Sequence, residues 1–446
     1  MKMDNPEPRK ETEFIVDKLL HDFVNDEGLV SACYPPTGAA LLKDFNDYIP
    51  FLAFYGYHDF VDEQVRKGTN KCVNGLVPVG KRILSWRQDE WLEALFERYR
   101  LNQSPELAAA LESGLEFIAK HLVEEGFIKS FYNLDSGRSP SVFDPRTGAL
   151  LEVLIDMGEY FPRAMDMALR CLDRIIEWSE HRAQYLIPNF IVYKHSFYDT
   201  ISRNNPIPIP ERILYPYVHG WRSAVGDWMI MLPFQQRIKL AKQNSNLIHA
   251  FFRAYMITEN HTYFRFVEKW FEHFKTYMYE NGRCYSFLDH RMRGDKVKLS
   301  HNHPVLETCI DVYLFTGQEA YLQTAIGIAD YWITRRLPNG LYPAFEDATY
   351  AFLDDQTDLL VLFVRLWKIL ENPQYWDEAV QLYQAIVHHH MTQSGLATYS
   401  YMDTTQHSDN SIIEPKYNAL FLKAGIALEN HDRILDEDFW LLLRDR

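Results

Sequence analysis

Apolar and polar residues follow a recurring pattern along the chain. Each copy begins with a glycine, an apolar residue and a strand-like stretch, and continues into a strongly apolar segment and then an amphipathic one. The glycines are Gly28, Gly75, Gly126, Gly282, Gly340 and Gly395, and a copy without glycine begins at Tyr185. Neighbouring glycines lie 47 to 58 residues apart, except across one gap of 156 residues that holds the glycine-less copy. Repeats of this length are typical of rings and solenoids built from one supersecondary unit.

Two kinds of helix are predicted in each copy. Residues 359–367 are apolar on nearly every side, which predicts a helix buried all round. Residues 165–176 place their apolar side chains on one stripe, which predicts a helix with one buried face. Turns such as residues 316–319 separate the two helices. We therefore predict outer helices around seven inner helices, which begin near residues 45, 88, 146, 244, 305, 356 and 415.

The repeat predicts an all-α fold, an (α/α)6-7 toroid of helical hairpins with short β-strands in the loops at its mouth. A helix near residues 11–24 is expected to pack with the last unit and close the ring. We interpret residues 1–446 as one domain with an aromatic-rich insertion at about 193–243, where the prolines of residues 204–210 exclude a helix. A solenoid of helix pairs would give a similar period, but would not need a strand and a long aromatic loop in every repeat.

Composition narrows the class of partner. The net charge is −15, which argues against nucleic acid or an anionic membrane as the main partner. The first residues lack the apolar segment of a secretion signal, no apolar stretch is long enough to span a membrane, and the five cysteines have no paired spacing. These features predict a cytoplasmic protein. Phosphate-binding glycine motifs are missing and His301 with His303 is the one weak metal candidate, so we expect no cofactor and no metal ion.

Acidic residues recur where strands end and inner helices begin, and in a toroid both positions lie at the mouth. Glycosyl chemistry needs two carboxyl groups, one as acid and one as base or nucleophile. Asp47, Glu346 and Asp355 are the strongest catalytic candidates, and Asp289 is a candidate for binding substrate. The alternative for each is helix capping, which aspartate often performs at a helix start. The other acids at inner-helix starts are Asp44, Asp89, Glu90, Asp144, Glu307, Asp354, Asp358 and Glu414.

Histidine, arginine and tryptophan supply a second set of candidates. His303 suits proton abstraction near neutral pH, and His301 is expected to face the mouth beside it, because both directly precede an inner helix. An arginine at the mouth can clamp a sugar carboxylate through two parallel hydrogen bonds, and a tryptophan can stack on a sugar ring. A loop salt bridge is the alternative for each arginine. The candidates are Trp86, Arg146, Trp221 and Arg222.

The repeat resembles the six-hairpin (α/α) toroid superfamily, which includes glycoside hydrolases, unsaturated uronyl hydrolases and sugar 2-epimerases. More specifically, residues 243–255 and 258–264 resemble the C-terminal domain of D-glucuronyl C5-epimerase, with a glutamine at the helix entry and Arg253-Ala254-Tyr255 at its end. The resemblance covers residues 219–430. It implies a uronate substrate, and it makes Tyr417 a catalytic candidate, since that family's catalytic tyrosines fall in the corresponding region.

Two classes of function remain open. The first is a carbohydrate-active enzyme on a small sugar or uronate, acting by epimerisation, hydrolysis or elimination. Epimerisation would use Tyr417 or His303 with an arginine holding the acid, and hydrolysis would take its pair from Asp47, Glu346 and Asp355. The second is a non-catalytic glycan-binding or scaffold protein on the same fold, because a fold does not fix a function.

Overall fold

The structure is a computed structural model that describes residues 8–31, 36, 42, 45, 47–193, 239–289, 291–392, 394–398, 400–402, 407–408, 413–436 and 439. Across these residues it contains fourteen α-helices of six residues or more. None of the described helices is long and apolar enough to cross a membrane.

Seven helices form an inner ring in the described part of the chain, as the repeat predicts. Most are buried on all sides, like the apolar helix at residues 353–370. They are α2 (Ile49–Phe54), α4 (Asp89–Asn102), α6 (Gly148–Asp156), α8 (Ala241–Thr258), α10 (Leu299–Thr316), α12 (Leu353–Leu370) and α14 (Pro415–Glu429). From α4 to α14 each packs against the next, and α14 packs against α2. Trp91 of α4 meets Phe45, just before α2, with ring centroids 5.1 Å apart, so the ring closes.

Seven outer helices surround this ring, and each pairs with one inner helix. They are α1 (Pro8–His21), α3 (His58–Thr69), α5 (Pro105–Phe117), α7 (Pro162–Arg182), α9 (His261–Tyr277), α11 (Glu319–Ile333) and α13 (Pro373–His390). Six follow their inner partner in the chain, whereas α1 packs against α14 from the other end. The prediction that an N-terminal helix closes the ring is therefore confirmed.

Short antiparallel strands link neighbouring repeats. The strands are β1 (Arg82–Leu84), β2 (Val123–Glu124), β3 (Phe127–Ile128), β4 (Phe131–Asn133), β5 (Val142–Phe143), β6 (Ile191–Val192), β7 (Lys239–Leu240), β8 (Tyr279–Glu280), β9 (Arg283–Cys284), β10 (Phe287–Leu288), β11 (Gly294–Asp295), β12 (Tyr350–Phe352), β13 (Ser400–Met402) and β14 (His407–Ser408). Four sheets, β1–β4, β5–β6, β7–β10–β11 and β12–β13–β14, lie beside the starts of inner helices. The end of the predicted insertion forms β7 and the first turn of α8, and residues 194–238 lie outside the described part.

The recurring glycine is needed because the chain turns sharply against the neighbouring outer helix. Gly75 and Gly282 have φ of 76° and 85°, in the left-handed region that favours glycine. A Cβ at either position would lie 2.3 Å from a backbone oxygen, that of Ala110 or Gly327. No other residue fits such a site without moving a helix.

Buried side-chain amides of the inner helices form hydrogen bonds with the backbone of this turn. The Gln88 Oε1 accepts a hydrogen bond from the Val77 N–H at 2.9 Å, and its Nε2 donates to the Val77 carbonyl at 3.0 Å. Gln356 holds Tyr342 in the same way. The same pairing recurs as Asn244 with Ile187 and Asn418 with Ala397. Each amide forms the two hydrogen bonds that a neighbouring strand would otherwise form with that residue. The buried N–H and carbonyl of the turn are therefore both satisfied.

One predicted boundary was wrong. We expected His301 and His303 to precede the fifth inner helix, but α10 already begins at Leu299 and carries Pro304 inside it. Pro304 is the sixth residue of α10, so the helix lacks the hydrogen bond that an N–H at this position would donate to the Ser300 carbonyl. Both histidines therefore lie on the first turns of the helix.

Candidate active site

The first three turns of the inner helices carry buried polar side chains, although apolar side chains make up most of the core. All seven inner helices run in one direction, so these turns lie together at one end of the ring, the mouth. Burial of so many ionisable groups is costly unless they are paired, and it is typical of functional sites. The residues are Asp89, Glu90, Glu93, Glu152, Gln243, His249, His301, His303, Glu307, Asp355, Asp358 and Lys423.

A histidine, two aspartates and a lysine from three adjacent inner helices meet at this end. The His303 Nε2 of α10 lies 3.6 Å from Asp355 Oδ1 and 3.6 Å from Asp358 Oδ2, both on α12. The Lys423 Nζ of α14 donates to Asp358 Oδ1 at 2.7 Å. All four side chains are buried. We call these four residues the acid–base cluster.

Within the acid–base cluster, Asp355 differs from its neighbours. Its side chain is 1% exposed, and neither carboxylate oxygen accepts a hydrogen bond from any described residue. A buried carboxylate that lacks hydrogen bonds costs free energy that folding alone does not repay. A buried group of this kind calls for a partner such as a water molecule, an ion or a ligand, which makes Asp355 a candidate site residue.

Asp354, next to the cluster, has a strongly shifted pKa. Burial raises its pKa to about 7, and the negative charges of Asp355 and Asp358 add to the effect. Lys416 opposes the shift. A carboxyl group that titrates near neutral pH can give and take protons under ordinary conditions.

Asp47 joins the same region through Lys416. The Lys416 Nζ lies 2.7 Å from Asp47 Oδ2, and α14 brings this lysine within electrostatic range of Asp354. Tyr417 follows Lys416 in the chain and is half-buried. The ring thus gathers Asp47, Asp355 and His303 from positions that are far apart in the sequence.

Glu346 is held elsewhere. Arg283 donates to Glu346 Oε2 at 2.9 Å and to Oε1 at 2.5 Å, and the Tyr331 hydroxyl donates to Oε2 at 2.5 Å. Burial would raise the pKa of Glu346, but the hydrogen bonds of Arg283 and Tyr331 outweigh it and lower the pKa. Tyr331 belongs to an outer helix, so the structure does not place Glu346 in the acid–base cluster.

Asp289 and His301 each have a local partner. Asp289 accepts hydrogen bonds from the backbone N–H groups of Arg291 and Arg293 and from the Arg293 guanidinium, at 2.6 to 3.0 Å. Burial opposes these contacts, yet the net effect lowers its pKa. The His301 Nδ1 lies 3.1 Å from the Ser286 carbonyl, which accepts, so the proton of a neutral ring sits on Nδ1. Asp289 thus stabilises the turn before α10.

Trp86 and Arg146 lie together on the opposite side of the mouth, where α4 meets α6. The guanidinium of Arg146 is 3.8 Å from the centroid of the Trp86 ring, and that of Arg87 is 4.7 Å from it. Arg146 also donates from Nε to both oxygens of buried Asp144, at 3.1 and 2.9 Å. Asp144 therefore occupies one of the two edges through which the Arg146 guanidinium can bind a carboxylate, that of Nε and Nη2. Trp221 and Arg222 lie outside the described residues.

Sequence reasoning did not select Lys416 and Lys423, and listed Asp354 and Asp358 only among the acids at inner-helix starts. Lys423 gave a usable signal, because it is a lone charge in the apolar run of residues 419–428. Among the described residues, no group of three or more histidine, cysteine or carboxylate side chains is placed to hold a metal ion.

Comparison with solved structures shows that the fold is that of the (α/α) toroid enzymes. An α-1,2-mannosidase from Trichoderma reesei superposes with a TM-score of 0.67 at 11% identity, over 95% of this chain and 93% of that one. A D-mannose isomerase gives 0.57 at 10% identity, over 96% and 99%. A cellobiose 2-epimerase from Spirochaeta thermophila gives 0.56 at 13% identity, over 80% and 88%. No family model and no curated protein sequence matches the chain.

Proposed function

We propose that this chain is an enzyme that moves a proton on a small sugar or uronate, as an epimerase or isomerase. The observation that carries the proposal is the contact of His303 with Asp355, a buried carboxylate without hydrogen bonds from the described chain, at the mouth of the ring. The fold is shared with a D-mannose isomerase and a cellobiose 2-epimerase, which supports sugar chemistry on such a scaffold. At this identity the likeness does not select a substrate.

In the proposed reaction, His303 is the base. Its imidazole takes the proton from the carbon beside the carbonyl of an open-chain sugar, or beside the carboxylate of a uronate. The C–H bond breaks, and its electron pair passes to the carbonyl or carboxylate oxygen as an enediolate. Asp355 stabilises the imidazolium that forms, and Lys416 supplies positive charge near the mouth. Return of the proton from His303 to the neighbouring carbon gives the isomer, and a proton from water on the opposite face of the first carbon gives the epimer, in both cases without a redox partner.

Hydrolysis is less well supported. A glycosidase needs two carboxyl groups on opposite sides of one bond. Asp354, Asp355 and Asp358 share one helix. Glu346 is paired with Arg283 and Tyr331, and Asp47 is paired with Lys416. Proton abstraction needs only one base next to one carbon, and the acid–base cluster offers His303 for that role.

The test is deuterium exchange in heavy water. The full chain is incubated with a panel of aldoses, ketoses and hexuronates, and NMR follows deuterium at the carbon beside the carbonyl or carboxylate. We expect exchange with at least one sugar class, and a loss of about 10²–10⁴-fold in His303→Gln and in Asp355→Asn. Asp166→Asn, an exposed aspartate of α7 paired with Arg170, is the matched control and keeps the wild-type rate.

Three outcomes would count against the proposal. Release of reducing sugar from glycosides without deuterium uptake would indicate hydrolysis. Sugar binding without turnover would favour the glycan-binding alternative. Full activity in Asp355→Asn together with its loss in Glu346→Gln would move the chemistry away from the acid–base cluster.

A further inference from the structure

Large apolar side chains are exposed mainly at one end of the ring, opposite the mouth. Of the eight such residues in the described chain, six lie at the ends of inner helices or in the turns that follow them. They are Tyr57, Leu101, Tyr160, Ile257, Leu314 and Phe315. They belong to five consecutive repeats, from α2 to α10. We call this end of the ring the lower face.

The lower face also contains a hollow. A cavity of about 900 Å³ opens between the ends of α2, α4, α6 and α8, and Leu101, Tyr160 and Ile257 stand on its rim. Leu101 is the most exposed of the six, at 70%. A protruding side chain and an open hollow therefore lie side by side on the same surface.

The charges at the hollow balance, whereas those of the whole chain do not. Four arginines and four acidic residues line it, although the chain carries a net charge of −15. Several already pair within the chain, such as Arg253 with Asp156 at 2.5 Å and Arg100 with Glu97 at 2.9 Å. The lining residues are Glu93, Glu97, Arg98, Arg100, Asp156, Glu159, Arg253 and Arg433.

We infer that the lower face binds a second copy of this chain in a two-fold dimer. Extended exposed apolar surface marks interaction sites, and burial of that surface stabilises the associated state. A two-fold interface must be complementary to itself. This surface carries charges of both signs, and it has both a protruding leucine and a hollow that can receive the leucine of the other copy. A nucleic acid or an anionic membrane would need an excess of positive charge, which the hollow lacks. Two acidic copies can approach at the hollow because the charges that line it balance.

Sedimentation velocity of the full chain tests the inference. We expect a species of twice the monomer mass of 52.6 kDa, with a fraction that rises with concentration. Leu101→Asp would bury an unpaired carboxylate twice in the interface, so we expect its dimer dissociation constant to rise by at least about a hundredfold. Tyr277→Asp is the matched control, since Tyr277 is 39% exposed at the end of an outer helix, and it remains dimeric.

The inference does not depend on the proposed reaction. A wild-type chain that stays monomeric at every concentration would overturn it, as would a dimer that Leu101→Asp leaves unchanged. Because Leu101 is exposed, Leu101→Asp is expected to fold, and circular dichroism checks this. If that variant misfolds, hydrogen exchange on the wild-type chain decides: the ends of α4, α6 and α8 must gain protection as concentration rises.

Discussion

Asp354 is a single carboxyl group whose environment makes the stability of the folded chain depend on pH. Its pKa rises from 3.8 to about 7 on folding, chiefly through burial. Between these values the folded chain holds more protons than the unfolded chain, so stability falls as pH rises from about 4 to about 7 and then levels off. Each pH unit of this window corresponds to about 1.4 kcal/mol at most.

Asp354→Asn should therefore flatten the stability profile. The free energy of unfolding of the variant, from urea titrations between pH 4 and pH 8, should fall less with rising pH than that of the wild type. Asp166→Asn on the outer ring is the control and keeps the wild-type slope. Parallel profiles for wild type and Asp354→Asn would show that Asp354 is ionised throughout this range.

Lys423 is predicted to balance Asp358 inside the ring. Their side chains are 4% and 7% exposed, and their atoms lie 2.7 Å apart. Lys423→Met leaves Asp358 buried without this cation, which should cost about 3–5 kcal/mol in the free energy of unfolding. Lys423→Met with Asp358→Asn should recover part of that loss, measured by a double-mutant cycle in urea.

Lys368→Met is the control. It breaks the exposed pair with Asp432 and should leave the urea midpoint almost unchanged. Additive losses in the cycle would contradict the pairing.

The sequence could predict which residues lie at the mouth, but not which side chains from different repeats contact each other. Asp355 and His303 were found because both residue types sit at inner-helix starts, and the ring brings those starts together. Glu346 was grouped with Asp355 because one loop connects them. Its partners Arg283 and Tyr331 come from other elements, and nothing in the local pattern reveals them. Which side chains meet depends on ring geometry, not on spacing along the chain.

At the scale of elements, four repeats depend on a buried side-chain amide that the apolar pattern did not reveal. Gln88 binds the N–H and the carbonyl of Val77, and also the Leu84 carbonyl at 3.0 Å. The glycine signal predicted the turn correctly, because only glycine fits it. The amide gave no comparable signal, since glutamine and asparagine also occur at helix starts for other reasons.

Gln88→Met keeps the size of the side chain and removes its polar atoms. Val77 then keeps a buried N–H and carbonyl without this partner, so we expect a loss of about 2–4 kcal/mol in the free energy of unfolding. Gln384→Met, on the exposed side of α13, is the matched control and should stay near wild type. Chemical denaturation monitored by tryptophan fluorescence measures both. A Gln88→Met chain as stable as the control would mean that water replaces the amide.

At the scale of the whole molecule, the ring is closed by its two chain ends. The last inner helix, α14, has the N-terminal helix α1 as its outer partner, whereas every other hairpin is continuous in sequence. The sequence predicted this closure, since a helix near residues 11–24 was expected to pack with the last unit. Contacts between α1 and α14 span nearly the whole chain, so their loss should open the ring at one place.

Leu19→Ala tests this closure. Leu19 is fully buried in α1, and its truncation should cost about 2–5 kcal/mol. Because α1 covers α14, hydrogen exchange followed by mass spectrometry should show faster exchange in residues 415–429 as well as in 8–21. Leu154→Ala in α6, across the ring, removes the same atoms from an equally buried site and should instead speed exchange around α6. If both variants instead raise exchange evenly over all fourteen helices, the ring opens as one cooperative unit. The contact between α1 and α14 would then be no weaker than the contact within any other hairpin.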